Sequence, residues 1–203
     1  MAEGIKSCSK LRKYFNYSLL LVTITSLNFY CKQNYSIMKK TKKRPSWDEY
    51  FLKLAMLASE RSTCPRMHCG CVLVKDRFVL ATGYNGSVPG QPHCEDVGCL
   101  VVENHCVRTN HAEMNALIQA AVHGISIKGS DAYITNMSCT TCAKALIAAG
   151  IKRVIVFSDF HDTLATDFYT KSNVEIIKLK KPSSKINYDL KNYSSARKTK
   201  KSR

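Results

Sequence analysis

Acidic residues are scarce in this chain. Fifteen Asp and Glu stand against 31 Lys and Arg, a net charge of +16 over 203 residues. A surplus of that sign points toward nucleic acid or an anionic membrane surface. An unbroken run of about twenty apolar residues is also missing. The nearest candidate, Tyr14 to Cys31, sits behind a basic start but is interrupted by Ser, Thr and Asn. It falls short of a spanning helix, so a membrane partner is not expected. A signal peptide, a weak anchor, or a start at Met38 that would omit the run all remain open. Length is the third shortage: there is room for one ordinary domain with extensions, and a multidomain machine is excluded.

The charge is unevenly placed. Residues 1–44 hold ten basic groups and one acid, Glu3, and residues 178–203 hold ten and one, Asp189. Each end therefore carries +9, and residues 45–177 carry −2. The C-terminal segment is rich in Lys and Ser and poor in apolar periodicity, so it cannot bury enough surface to offset its ordering entropy. Disorder is expected beyond Leu190. The limits that follow are an N-terminal extension over 1–44, a domain over 45–178 and a basic tail over 179–203. Because the middle is near neutral, nucleic acid is not a required partner.

Within that middle the apolar pattern is regular at both ends. Ser46 can cap a helix from Trp47 to about Arg61, with Asp48 and Glu49 in its first turn. Two apolar segments, Cys69 to Val74 and Phe78 to Tyr84, flank Lys75-Asp76-Arg77 in a hairpin pattern. From His111 onward helices and strands alternate: helices over 111–122, 140–149 and 163–169, strands over 131–135, 153–157 and 174–177. This predicts an α/β domain with a mixed five-stranded sheet covered on both faces, the first two strands antiparallel and the rest parallel. Residues 85–110 have no lasting period and are rich in Gly, Pro, Cys and His. A loop that long inside a compact domain is functional or is held by something other than a core.

Ten cysteines allow disulfides in a secreted protein or metal ligation in a reducing one. Cys139-Thr-Thr-Cys142 lies at a strand-to-helix junction, and His111-Ala-Glu113 opens the preceding helix. Spacing i, i+3 puts both sulfurs on one helix face, and the helix N-terminus favours their thiolate form. One imidazole and two thiolates leave a tetrahedral zinc with an open fourth position, the arrangement of a catalytic site. Glu113 is near enough to reach a water there without being a ligand.

His111-Ala112-Glu113 followed after 25 residues by Cys139-x-x-Cys142 resembles the zinc-dependent cytidine and deoxycytidylate deaminases, a signature that general descriptions of zinc deaminases include. The likeness extends through Pro45 to Phe51, Ser62-Thr63-Cys64, Gly70-Cys71-Val72, Gly83-Tyr84-Asn85-Gly86, Cys106-Val107-Arg108-Thr109, Asn115-Ala116, Cys142-Ala143-Lys144 and Ala149 to Lys152. These resemble the deoxycytidylate branch. Ser138 departs from the pattern, standing where the family has proline before the first ligand Cys. It removes a turn former and not a ligand. Cys69 and Cys71 flank Gly70 where small or β-branched residues are usual.

The resemblance implies a three-layer α/β/α, cytidine-deaminase-like fold and hydrolysis of dCMP to dUMP and ammonia, feeding thymidylate precursors. Glu113 would move the protons, and His111, Cys139 and Cys142 would hold Zn2+. It further implies that Asn85 meets the sugar, against the plain type I′ turn that Asn-Gly also favours. A phosphate clamp would come from Arg61, Arg66 or Arg108, with Arg108 preferred for its place beside the motif. Gly83, Tyr84 and Gly86 fall in a region that in relatives serves an allosteric nucleoside triphosphate with Mg2+. A second, structural zinc would use Cys64, Cys94, His105 and Cys106, with Cys99 as substitute, the competing reading being disulfides. A homo-oligomer, hexameric in some relatives, and a cytoplasmic location complete the expectations. Two rivals remain: a nucleic-acid base deaminase of the tRNA adenosine type, and a non-catalytic zinc-stabilised binding module.

Overall fold

The computed structural model describes residues 44–103, 105–158 and 162–183. The apolar run before Met38, the tail beyond Leu190 and the ends of both extensions lie outside the described residues.

Helix α1 (Trp47–Ser59) starts on a reciprocal cap. The Glu49 amide donates to Ser46 Oγ at 3.1 Å, and the Ser46 amide donates to Glu49 Oε2 at 3.0 Å. Its buried face is Phe51, Leu52 and Ala55, while Trp47 is half exposed and stacks on Phe51. Strands β1 (Gly70–Lys75) and β2 (Phe78–Tyr84) then form an antiparallel hairpin. Asp76 and Arg77 both take positive φ, 51° and 68°, the twist that a two-residue loop between such strands needs.

Short pieces follow: β3 (Gly86–Ser87), one turn of helix α2 (Cys94–Val97), β4 (Val101–Val102), β5 (His105–Cys106) and β6 (Thr109–Asn110). β3 pairs with β6 and β4 with β5, both antiparallel. The regular half comprises α3 (Ala112–Val122), β7 (Asp131–Asn136), α4 (Thr140–Ala148), β8 (Arg153–Ser158), α5 (Thr163–Lys171) and β9 (Glu175–Lys178).

The five long strands make one sheet in the order β2-β1-β7-β8-β9. β1 is antiparallel to both neighbours, and β7, β8 and β9 run parallel. Alternate residues of β1 therefore serve two cores. Val72 and Val74 meet Phe51, Leu52, Ala55, Tyr133 and Ile155 under α1. Cys71 and Leu73 meet Ala112, Ala116, Ala143, Leu146, Val154 and Tyr169 under α3, α4 and α5. The result is three layers, α/β/α.

Two glycines set the helix-to-sheet spacing. A Cβ on Gly70 would lie 2.0 Å from the Ala55 carbonyl oxygen, and one on Gly83 would lie 2.1 Å from that of Ala112. Both contacts are with backbone, so only glycine lets α1 close over β1 and α3 close over β2. The second approach brings the start of α3 against the end of β2.

Candidate metal centre and active site

The N-termini of α3 and α4 converge beside the C-terminal end of β7. His111 is the N-cap residue of α3 and Cys139 that of α4, and neither side chain caps its own helix. Each is thereby free to point into the gap where unpaired amides and helix dipoles favour negative charge. Cys142 joins them one turn into α4.

His111 Nδ1 lies 3.5 Å from Cys139 Sγ and 3.5 Å from Cys142 Sγ. Tetrahedral zinc with ordinary bond lengths places a nitrogen and a sulfur ligand about 3.5 Å apart, so these three atoms fit three corners of its shell. The Cys142 thiol and then the His111 imidazole hold the Cys139 sulfur down at about 4. Hydrogen bonding to Cys139 in turn draws the imidazole of His111 up. One thiolate is thus in place for a cation at neutral pH.

Glu113, the second residue of α3, is buried at 4 % exposure. Burial raises its carboxyl above the usual range, opposed by the Ser138 hydroxyl and by His111. Asn85 supplies the cap that His111 does not: its Oδ1 accepts from the Ala112 amide at 2.9 Å, and its Nδ2 donates to the Met67 carbonyl at 3.0 Å. Asn85 and Gly86 have ordinary negative φ, so the type I′ turn does not form here. The Asn85 carboxamide has a partner at each end, and the residue also borders the cavity.

That cavity, of roughly 240 Å³, is lined by His111, Glu113 and Cys139 together with Cys69, Asn85, Met67, Asn136 and Met137. Arg66 and His105 line it from exposed positions. Arg108 does not line it; its guanidinium donates to the Gly98 carbonyl at 3.1 Å. Among the three arginines named from the sequence, Arg66 is the one at the cavity. Gly83, Tyr84 and Gly86 border a separate hollow of roughly 560 Å³ with His93, Asn115, Gln119 and His123. Cys69 and Cys71 are buried thiols; burial pushes Cys69 up to about 12 and Cys71 well above its ordinary value.

A second cluster unites Cys64, Cys94, Cys99 and Cys106, with all four sulfurs within 4.8 Å of one another. Cys64 and Cys99 are 3.9 Å apart, and Cys94 and Cys106 are 3.5 Å apart. Two thiolates on a tetrahedral zinc sit about 3.8 Å apart, so the set fits a closed structural site. Burial opposes ionisation of Cys106, yet the Arg108 amide and the Cys94 thiol bring it down to about 6. His105 is not a member, which corrects the sequence expectation, and Cys99 takes its place. His105 and Cys106 both border the cavity beside His111 and Glu113, and of the two it is Cys106 whose sulfur joins the cluster. The eight described cysteines are all free thiols.

Sequence reasoning missed Asp162 altogether. As N-cap of α5 it accepts from the Ala165 amide at 3.1 Å, and it also accepts from the Thr140 amide at 2.7 Å and the Thr140 hydroxyl. Its place before a helix was a readable cap signal; its reach to the metal helix was not.

A family model described as the cytidine and deoxycytidylate deaminase zinc-binding region matches residues 45–158. ComE operon protein 2 of Bacillus subtilis is 45 % identical over 117 residues, which cover 58 % of this chain and 62 % of that protein. Deoxycytidylate deaminase of Schizosaccharomyces pombe is 35 % identical over 150 residues, 69 % of this chain and 44 % of that protein. The chain thus spans less than two thirds of the length of these two relatives. The crystal structure of dCMP deaminase from cyanophage S-TIM5 in complex with dCMP and dUMP superposes with a TM-score of 0.61 at 31 % identity, covering 68 % of this chain and 100 % of that one.

Proposed function

The chain belongs to the cytidine and deoxycytidylate deaminase zinc-binding family, and from that premise we propose that it hydrolyses the C4 amino group of dCMP to give dUMP and ammonia, in the supply of thymidylate precursors. The observation that carries this is the donor triangle of His111, Cys139 and Cys142 beside a buried carboxylate, with His111, Cys139 and Glu113 bordering one cavity. His111, Cys139 and Cys142 would hold zinc, which would lower the pKa of a water to about 7 and so supply a nucleophile at neutral pH. Glu113 would take one proton of the attacking water and pass it to N3 of the cytosine ring, then take the remaining proton of the C4 hydroxyl and give it to the departing amine, which leaves as ammonia as the C4 carbonyl forms. Its raised proton affinity suits a group that must hold a proton between the two transfers. Arg66 and His105, on the exposed side, are the groups proposed to meet the 5′-phosphate; Asn85 orders the start of α3 and the cavity wall beside the sugar.

The four-thiol cluster is proposed to hold a second, structural zinc that orders residues 85–110 in place of an apolar core. The hollow at Gly83, Tyr84 and Gly86, with two histidines at its border, supports a regulatory nucleoside triphosphate with Mg2+. The free thiols suit a reducing, cytoplasmic setting. A homo-oligomer is part of the same proposal, and none of the described helices is long and apolar enough to cross a membrane.

Ammonia release should be measured with dCMP, with dCTP or dTTP added in turn, and with a tRNA substrate, alongside metal analysis. Turnover of dCMP with two zinc ions per chain is the expected result. Turnover of tRNA alone would replace the substrate assignment, and one zinc per chain would remove the structural site.

A further inference from the structure

Two helices carry the metal donors, and both start in the same uncommon way. An N-cap side chain ordinarily accepts from an amide in the first turn of its own helix. At the starts of α3 and α4 the N-cap side chains of His111 and Cys139 do not, and they meet each other instead, with His111 Nδ1 3.5 Å from Cys139 Sγ. Their backbones still begin the helices: the His111 carbonyl accepts from the Asn115 amide at 3.0 Å, and the Cys139 carbonyl from the Ala143 amide at 2.9 Å. In each helix the first amide is met from outside. The Ala112 amide donates to Asn85 Oδ1 at 2.9 Å, and the Thr140 amide donates to Asp162 Oδ2 at 2.7 Å. Asp162 holds its helix twice over, because its two oxygens also accept from the Thr140 hydroxyl at 2.9 and 2.8 Å.

We infer that Asp162 is a positioning residue for the metal site: by capping α4 in place of Cys139, it leaves that thiol free to face His111 and holds the start of α4 in register. The inference rests on the zinc reading of His111, Cys139 and Cys142 proposed above. Thr140 is itself a good N-cap residue. A helix begun one residue later, on the Thr140 hydroxyl, would drop Cys139 from the cap position and part it from Cys142 on the next turn. Asp162 engages both the amide and the hydroxyl of Thr140, so that start is closed. Asn85 also borders the cavity, and its loss would mix capping with substrate contact; Asp162 does not border it, so its role can be read alone.

The test is a chelator titration of the full, zinc-loaded chain, following zinc release from the parent, His111→Ala, Asp162→Ser and Ser46→Ala. The release phase that His111→Ala lacks belongs to the catalytic site. Asp162→Ser keeps a hydroxyl able to cap α5 through the Ala165 amide, which Asp162 Oδ1 accepts at 3.1 Å, but gives up the reach to Thr140. Ser46→Ala removes the cap of α1, on the opposite face of the sheet from α3 and α4, and controls for a general loss of stability. Loss of a group that orients a metal ligand weakens metal binding about 10–100-fold. Asp162→Ser should therefore weaken zinc at the catalytic site about tenfold or more, and leave the four-thiol cluster as in the parent. Ser46→Ala should change neither by more than about twofold. Catalytic-site zinc within about twofold of the parent in Asp162→Ser, or an equal weakening in Ser46→Ala, would overturn the inference. So would a parent without the zinc phase that His111→Ala should remove. Failure of dCMP turnover with that phase present would strike the substrate assignment alone, and zinc release would still decide the role of Asp162.

Discussion

In the proposed reaction Glu113 concentrates the chemistry in one side chain. The N-cap position sends His111 toward the two cysteines, the next residue but one turns the carboxyl into the same gap, and burial raises the proton affinity of that carboxyl. Glu113→Gln keeps the shape and the hydrogen-bonding capacity of the amide-like plane but cannot take a proton from water. It should retain zinc and melting temperature while losing about a thousandfold in kcat; metal analysis and a thermal melt beside the ammonia assay would show it. Turnover near the parent level would remove Glu113 from the reaction. At this scale the sequence was most informative where ligands are local. His111 and Glu113 share one helix start, and Cys139 and Cys142 share one turn, so spacing alone brings each pair together. Cys99 against His105 could not be decided in the same way, because the choice depends on which side of a two-residue strand faces the sulfurs. Arg66 against Arg108 depends likewise on how a loop without a period is laid over the cavity.

Between elements, Asp162 couples the metal helix to its neighbour. One carboxylate satisfies the free amides at the starts of both α4 and α5, where the dipole of each helix also favours negative charge. Burial opposes its ionisation, but the bonds from Thr140 and Ala165 outweigh that and lower its pKa below the ordinary 3.8. A carboxyl with a depressed folded-state pKa adds stability above its unfolded value and loses it as pH falls through the folded one. The parent protein should therefore lose an increment of stability below about pH 4 that Asp162→Asn does not show. At neutral pH, Asp162→Ala should cost about 2 kcal/mol, the sum expected for two caps, read from denaturant midpoints. Identical acid-limb melts for parent and Asp162→Asn would mean that the double cap carries no charge-dependent stability. The elements themselves were legible from apolar period and turn residues: α1 behind Ser46, the hairpin at Asp76-Arg77, and the alternation after His111. Strand order was not. β1 sits between β2 and β7 because of pairings across about sixty residues of chain, and nothing local encodes them. Residues 85–110 read as a loop without a period for a physical reason: sulfur contacts gather that segment, as the four clustered cysteines show.

Over the whole molecule, charge and chemistry separate. Residues 1–44 and 178–203 carry +9 each, while residues 45–177 carry −2 and hold every group named in the proposed reaction. A surplus that pointed to nucleic acid therefore says little about the cavity, whose lining includes the Arg66 guanidinium. Long-range attraction between a basic extension and a phosphate substrate is screened within about 8 Å at physiological salt, whereas a contact inside a cavity is screened much less. If the extensions assisted catalysis by gathering nucleotide, kcat/KM for dCMP would fall steeply as salt rises. If turnover belongs to the near-neutral middle, kcat/KM should change by no more than about twofold between about 50 and 300 mM salt. Arg66→Ala should meanwhile raise KM at every salt concentration. A tenfold decline in the parent, abolished by removing residues 179–203, would tie the tail to substrate capture and overturn the separation.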